Sequence, residues 1–214
     1  MTEQSVDGLT ETIAGGSLIV LAVAASLVFR HHPDPIFLDD WGLSFIHPAV
    51  GDSFYVRVTD LRSVPFLVAG SILAALMVVG RDRLRALACL VGPGLSIVLV
   101  EWLLKPVVGR RLAEVLSFPS GSTTVVASVA TAWVLAIPRR FTPVAVVIGA
   151  FLVGLECIAV IALQWHLPTD ALGGVVVGVG VVLLFDGLLH LAVRPHRVEA
   201  GPPTGPDATG ATSF

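Results

Sequence analysis

Six apolar stretches, each about as long as a helix that crosses a bilayer, dominate the sequence. They cover residues 12–29, 64–80, 86–104, 122–137, 141–163 and 171–193. A helix needs about 20 apolar residues to cross roughly 30 Å of hydrocarbon, and the alternating pattern of barrel strands is not seen. The sequence therefore predicts an all-α polytopic membrane protein with six transmembrane helices over 12–193, an N-terminal tail over 1–11 and a disordered cytoplasmic tail over 194–214.

The composition agrees with this class and excludes others. Hydrophobic residues make up 55% of the chain, charged residues only 14%, and the mean hydropathy is +0.87, far from the balance of a soluble domain. The net charge is −3 and the basic residues form short clusters, so we expect no nucleic-acid partner. Cys89 and Cys157 fall in apolar stretches and are predicted to be buried thiols. The leader Thr2 to Glu11 lacks a basic region, which favours a retained anchor over a cleaved signal peptide.

Arginine clusters predict the orientation in the membrane. They comprise Arg81, Arg83 and Arg85, then Arg139 and Arg140, then Arg194 and Arg197. The positive-inside rule makes this side cytoplasmic, which predicts a plasma-membrane protein with both termini cytoplasmic and residues 30–63, 105–121 and 164–170 facing outward. Residues 34–62 form either an interfacial helix on the outer leaflet or a simple loop. Gly174 and Gly178 favour close packing within the bundle, with dimerisation as the alternative.

The first informative outward loop combines cations with a predicted helix start. Lys105, Arg110 and Arg111 precede Ser120, where a new helix is expected to begin. The free N–H groups and the positive dipole end of a helix start bind anions, and the hydroxyls of Ser120 and Ser122 add donors. This combination of cations and a helix start predicts a phosphate-binding site in the loop. The alternative is an ordinary helix cap beside a basic cluster that meets lipid headgroups.

The second informative loop carries a histidine and an aspartate. His166 and Asp170 are four residues apart at the expected start of the last helix, so we expect the Asp170 carboxylate to fix the imidazole tautomer. A structural histidine beside Trp165 at the membrane interface is the alternative. The catalytic interpretation is favoured because both loops face the same side of the membrane.

These motifs resemble those of the type-2 phosphatidic acid phosphatase superfamily, the integral-membrane lipid phosphate phosphatases. Lys105 with Arg110, the stretch Pro119-Ser120-Gly121, and His166 with Asp170 match its three motifs. The resemblance implies six helices with a phosphatase-type helical core and a phosphohistidine intermediate formed on His166, with Asp170 orienting the ring. It also implies that Lys105, Arg110 and Ser120 hold phosphoryl oxygens, and it implies no metal or other cofactor. Gly121 and Ser122, at the expected helix start, complete the predicted phosphate-binding set.

Three positions depart from the family pattern. Ser122 stands where the family has a histidine, Leu112 where it has an arginine, and Ala159-Val160 where it has Ser-Arg. The family histidine protonates the leaving oxygen, and serine is too weak an acid to do so. We therefore expect a preference for diphosphates, whose leaving phosphate is already a stable anion, and above all for polyprenyl diphosphates. His31, His32 or His47 could act as a substitute donor.

The sequence thus predicts a membrane phosphohydrolase whose partners are a lipid phosphate or diphosphate substrate and membrane lipids. The alternative is a catalytically silent relative that binds phospholipid headgroups or a membrane partner. A transporter ranks last, because only Glu156 is a polar residue suited to the bilayer midplane. Glu101 is expected to pair with Lys105 one helical turn away, and Asp186 and His190 are expected to pack or anchor the last helix. The sequence carries no signal that identifies the oligomeric state.

Overall fold

The described part of the chain is all-α apart from one short hairpin. The computed structural model describes residues 3–112 and 114–193, with side chains from residue 8 onward. The tail expected over 194–214, including Arg194 and Arg197, lies outside the described residues. The helices are α1 Glu3–His31, α2 Phe37–Leu43, α3 Ser53–Val58, α4 Val64–Val78, α5 Arg83–Val98, α6 Lys105–Val108, α7 Gly121–Ala136, α8 Thr142–Ala162 and α9 Pro168–Ala192. A π-helical segment, Leu99–Leu104, joins α5 to α6, and 3-10 turns cover Thr59–Arg62 and Arg139–Phe141. Strand β1 (Arg111–Leu112) pairs antiparallel with β2 (Val115–Leu116).

Each predicted apolar stretch is helical, but not every helix is long enough to span. Among the described residues, four helical segments have the length and composition of a span: Gly8–His31, Arg83–Val108, Arg139–Ala162 and Pro168–Ala192. A fifth arises if Ser53–Arg62 and Val64–Val78, which bend by 49°, act as one. Helix α7 has 16 residues and is about 24 Å long at 1.5 Å per residue. Helix α1 begins at Glu3, so the expected N-terminal tail over 1–11 is helical from that residue.

Helix α7 lies inside the bundle. It packs against α4, α5, α8 and α9, and most of its residues are buried. Gly174 and Gly178 on α9 allow the close approach: Thr124 Oγ1 donates to the Gly174 carbonyl at 3.1 Å, and a Cβ at Gly178 would lie 2.7 Å from the Thr124 carbonyl oxygen. This glycine pair therefore serves packing between two helices of the same chain, as its spacing predicts.

The region from 34 to 62 forms two short helices and a turn instead of one interfacial helix. Pro48, which has no backbone donor, and Gly51, with φ of +80°, separate α2 from α3. Helix α2 exposes Phe37 and Trp41 but buries Asp39 completely. The segment therefore presents aromatic side chains outward and one carboxylate to the protein interior.

The two arginine-rich loops that the structure describes meet at one end of the bundle. Arg81 Nη2, after α4, donates to the Ala136 carbonyl at the end of α7 at 2.7 Å. Asp82 Oδ2 lies 2.9 Å from His190 Nε2 near the end of α9. The loops that follow α6 and α8, with the predicted phosphate and histidine residues, lie at the opposite end of the same helices.

A partly buried ion-pair network ties three helices together near this arginine-rich end. Arg85 on α5 lies 2.8 Å from Glu11 Oε1 on α1 and 3.2 Å from Asp186 Oδ2 on α9. Asp186 is fully buried, so Arg85 supplies its hydrogen-bond and ion-pair contact inside the protein. Asp186 therefore anchors α9 to α5 through Arg85, in agreement with the packing role expected for it.

Candidate active site

A pocket of about 540 Å³ opens at the end of the bundle opposite the arginine-rich loops. Its polar lining comes from Arg62, Glu101, Lys105, Gly121, Ser122, Gln164 and His166, and its apolar lining includes Leu112, Leu116, Val125 and Trp165. Four of the seven predicted site residues are therefore brought together: Lys105, Gly121, Ser122 and His166. The other three, Arg110, Ser120 and Asp170, are buried and do not line the pocket.

The start of α7 supplies one wall of the pocket. Ser120 is the N-cap, and its hydroxyl accepts a long hydrogen bond of 3.5 Å from the Thr123 N–H. Ser120 also donates its backbone N–H to the Asp170 carbonyl at 2.9 Å, which fixes α7 against α9. Gly121 and Ser122 follow at the first two helical positions, where N–H groups have no acceptor within the helix and the dipole favours an anion. The predicted helix start is confirmed, but Ser120 itself lies beneath the pocket.

A carboxylate of the chain lies at this helix start. Glu101, in the π-helical segment, pairs with Lys105 at 2.7 Å, so the predicted ion pair is confirmed. A Cβ on Gly121 would collide with the Glu101 carboxylate and lie 3.7 Å from Lys105 Nζ. Lys105 is the only lysine in the sequence. Lys105 is therefore already paired with an anionic group of the chain, and that carboxylate lies beside the start of α7.

A tight turn presents His166 to the pocket. Helix α8 ends at Ala162, and Gln164 then adopts a φ of 59°, which is rare for a residue other than glycine. The N–H groups of Trp165 and His166 both donate to the Val160 carbonyl, at 2.9 and 3.3 Å. The turn is thereby closed on the end of α8, and three consecutive side chains, from Gln164 to His166, enter the pocket.

His166 differs from the prediction in its contact with Asp170. Its Nδ1 lies 3.9 Å from Asp170 Oδ2, which is too long for a hydrogen bond, and it has no hydrogen-bond partner among the described residues. The carboxylate is engaged elsewhere: Oδ2 accepts from the Leu167 N–H at 3.0 Å and Oδ1 from Arg110 Nη1 at 2.8 Å. Because Nδ1 is shielded from solvent, Nε2 is the ring nitrogen open to a ligand.

Arg110 is directed away from the pocket. Besides Asp170, its guanidinium donates to Asp39 Oδ2 at 2.8 Å and to the Pro33 carbonyl at 2.9 Å. One face lies 4.3 Å from the centre of the Phe29 ring. The side chain is fully buried. The expected role as a phosphate ligand has no support in this geometry, since the donors of Arg110 are used by two buried carboxylates and by backbone carbonyls.

Asp39 joins α2 to the start of α9 in a way that sequence reasoning missed. Its Oδ1 accepts from the Thr169 N–H at 2.9 Å and from Thr169 Oγ1 at 2.7 Å. Burial alone raises the pKa of Asp39, but the hydrogen bonds from Thr169, Arg110 and the Ile36 N–H outweigh it and lower the pKa below its usual value. The carboxylate therefore caps α9 from a distant part of the chain and stays ionised.

Arg62 is the second residue that sequence reasoning missed. It ends the 3-10 turn before α4, lines the pocket, and lies 4.9 Å from the centre of the Trp165 ring. It also interacts electrostatically with Glu156, a fully buried residue for which the sequence offered no partner. His31, His32 and His47, considered as substitute proton donors, are exposed and do not line the pocket.

Fold and pocket together define a helical membrane protein with a histidine and a cation beside a helix N-terminus. The family model of the PAP2 superfamily matches residues 108–190, the stretch that carries α7, α8, nearly all of α9 and His166. This match supports the resemblance to the PAP2 superfamily that the motifs indicate. No curated protein and no solved structure gives a significant match. PAP2 members are generally phosphatases, so the match supports phosphatase chemistry on phosphate esters.

Proposed function

We propose that the protein is a membrane phosphohydrolase that cleaves lipid-linked phosphates, through a phosphohistidine on His166, at the outer face of the plasma membrane. The observation that carries the proposal is one pocket in which His166, Lys105 and the N-terminus of α7 meet. In this reaction Nε2 of His166 attacks phosphorus, and the bond to the leaving oxygen breaks with its electron pair on that oxygen. Water then hydrolyses the P–N bond, releases inorganic phosphate and regenerates the imidazole.

The membrane arrangement belongs to the same proposal. We count six membrane crossings: the four long apolar segments, the bent pair Ser53–Arg62 and Val64–Val78, and the shorter helix α7. The two described arginine clusters lie at the end opposite the pocket, and the positive-inside rule makes their end cytoplasmic. The pocket then faces outward, where it meets the headgroups of the outer leaflet.

The substrate is proposed to be a lipid diphosphate, with polyprenyl diphosphates foremost. Ser122 lines the pocket at the position of the family's proton donor, and among the lining residues the only other titratable groups are Glu101, Lys105, Arg62 and the nucleophile. A phosphate leaving group, with a second pKa of about 6, departs without a proton, whereas an alkoxide needs one. Purified protein should therefore hydrolyse a polyprenyl diphosphate faster than phosphatidic acid, and equal rates would count against this preference.

Replacing Ser122 by histidine should restore the missing acid. We expect hydrolysis of phosphatidic acid to rise by up to about 10²-fold, within the range that positioned general acids contribute. Hydrolysis of the diphosphate should change far less, because its leaving group gains little from protonation. The measurement is kcat/KM for both substrates in the two proteins. An equal gain on both would show that the new side chain acts on binding and not on the leaving group.

Neutralising Glu101 should strengthen phosphate binding. In Glu101→Gln the carboxylate no longer competes for Lys105 and the start of α7, and removing a repulsion of about 1 kcal/mol at this partly exposed site gives about fivefold tighter binding. The measurement is inhibition by inorganic phosphate at pH 7. Weaker inhibition would mean that Glu101 serves to position Lys105 and does not compete with the ligand.

A catalytically silent relative that binds headgroups is the second candidate. The 3.9 Å separation between His166 Nδ1 and Asp170 Oδ2 favours it, because an enzyme gains from a hydrogen bond that fixes the ring tautomer. A binder would retain phosphate affinity and release no inorganic phosphate from either lipid.

A further inference from the structure

Arg62 reaches the pocket from an element outside all three family motifs. The turn Thr59–Arg62 packs against α7 and α8, the two helices whose ends carry Ser122 and the His166 turn. The guanidinium carbon of Arg62 lies 4.9 Å from the centre of the Trp165 ring, and Trp165 is the neighbour of His166. Arg62 is therefore held on the same side of the pocket as the proposed nucleophile.

The other two cations near the site are already engaged. Lys105 is paired with Glu101 at 2.7 Å, and Arg110 is buried against Asp39 and Asp170. In contrast, the guanidinium of Arg62 donates no hydrogen bond and forms no ion pair within 4 Å in the described parts of the chain, and its electrostatic interaction with Glu156 uses none of its N–H donors. An arginine has five N–H donors in a planar fork that matches phosphate oxygens. Within the described structure, Arg62 is thus the pocket cation whose donors are open to a ligand.

Stacking on Trp165 prepares the guanidinium for such a ligand. A ring face attracts the cation and restrains its plane without using any N–H donor. Leu112, at the position where the resemblance expects an arginine, also lines the pocket and supplies no charge. Arg62, in the turn that precedes α4, can therefore supply the positive charge that Leu112 on β1 does not provide.

We propose that Arg62 binds the phosphoryl oxygens of the substrate and stabilises their charge while phosphorus is transferred to His166. This rests on the proposed phosphohydrolase function. The guanidinium forms charge-assisted hydrogen bonds to oxygens that are not broken in the reaction, so it accepts no covalent bond and transfers no proton. Arg62 is thus a catalytic residue for the phosphoryl group, and it supplies the positive charge that Leu112 lacks.

Activity measurements on the full-length protein test this role. Arg62→Ala should lower kcat/KM by about 10²-fold, as removal of one preorganised donor to a developing charge does, and Arg62→Lys should recover part of the loss. Arg111→Ala is the matched control, since Arg111 is exposed on the hairpin and does not line the pocket. Adding Leu112→Arg to Arg62→Ala should restore activity, because it returns a guanidinium to the same pocket.

Phosphate binding separates this inference from the proposed function. Inorganic phosphate is titrated into His166→Ala protein, which cannot turn over, with and without Arg62→Ala. We expect the second change to weaken binding by about tenfold or more, the usual effect of losing hydrogen bonds to a charged group. If the wild type hydrolyses lipid phosphates and Arg62→Ala lowers neither its activity nor the phosphate affinity of the His166→Ala protein, the role of Arg62 is overturned and the function stands. Arg62-dependent binding without any hydrolysis would sustain the ligand role and reject the enzyme.

Discussion

Replacing His166 by alanine should abolish hydrolysis of every lipid phosphate that the protein accepts. The expected loss in kcat is at least about 10⁴-fold, because removal of a covalent nucleophile leaves only the contribution of binding and charge stabilisation. The measurement is release of inorganic phosphate by purified protein in detergent or in vesicles. Binding of inorganic phosphate should survive, since Lys105, Arg62 and the start of α7 remain.

A suitable control is His47→Ala. His47 is exposed and does not line the pocket, so its removal should leave the rate close to that of the wild type. The thermal midpoint of each variant reports whether the fold persists. Activity within about tenfold of the wild type in folded His166→Ala protein would show that another group attacks phosphorus.

Replacing Arg110 by alanine should destabilise the fold more than any other single change considered. The substitution leaves the buried carboxylates of Asp39 and Asp170 without their shared cation, and breaking a buried pair by removing one partner costs about 3–5 kcal/mol. We expect a marked fall in the unfolding midpoint in detergent. Arg111→Ala, one residue later on the exposed hairpin, should change stability by no more than about 0.5 kcal/mol.

The same series decides whether Arg110 is a ligand or a structural residue. Adding Asp39→Asn to Arg110→Ala should recover part of the stability, because it removes one of the two carboxylates left without a partner. Arg110→Lys, which keeps the charge, should retain phosphate binding where it folds. Normal stability of Arg110→Ala together with lost phosphate affinity would return Arg110 to the phosphate site that the sequence assigned to it.

Local patterns account for what the sequence predicted correctly. Apolar runs identify helices because each run must be buried or face lipid, whatever its neighbours are. The Glu101–Lys105 pair follows from one helical turn, and the start of α7 follows from the residues around Ser120. Small residues four apart on α9 predict close packing in the same way. In each case the cause lies within a few residues of the effect.

The parts that the sequence could not predict depend on contacts between distant segments. Arg110 meets Asp39 across 71 residues and Asp170 across 60, and nothing near Arg110 indicates that its charge is used inside the protein. Arg62 enters the pocket from a turn whose sequence resembles an interfacial loop. These features follow from the tertiary arrangement and not from periodicity.

Trapping of a covalent intermediate tests the central claim most directly. Protein is mixed with a polyprenyl diphosphate labelled with 32P on its terminal phosphate and quenched with alkali, in which a P–N bond to imidazole survives. We predict an acid-labile label on the peptide that contains His166, absent in His166→Ala and present in His47→Ala. Steady hydrolysis with no trapped label, or a label on another residue, would contradict a phosphohistidine at His166.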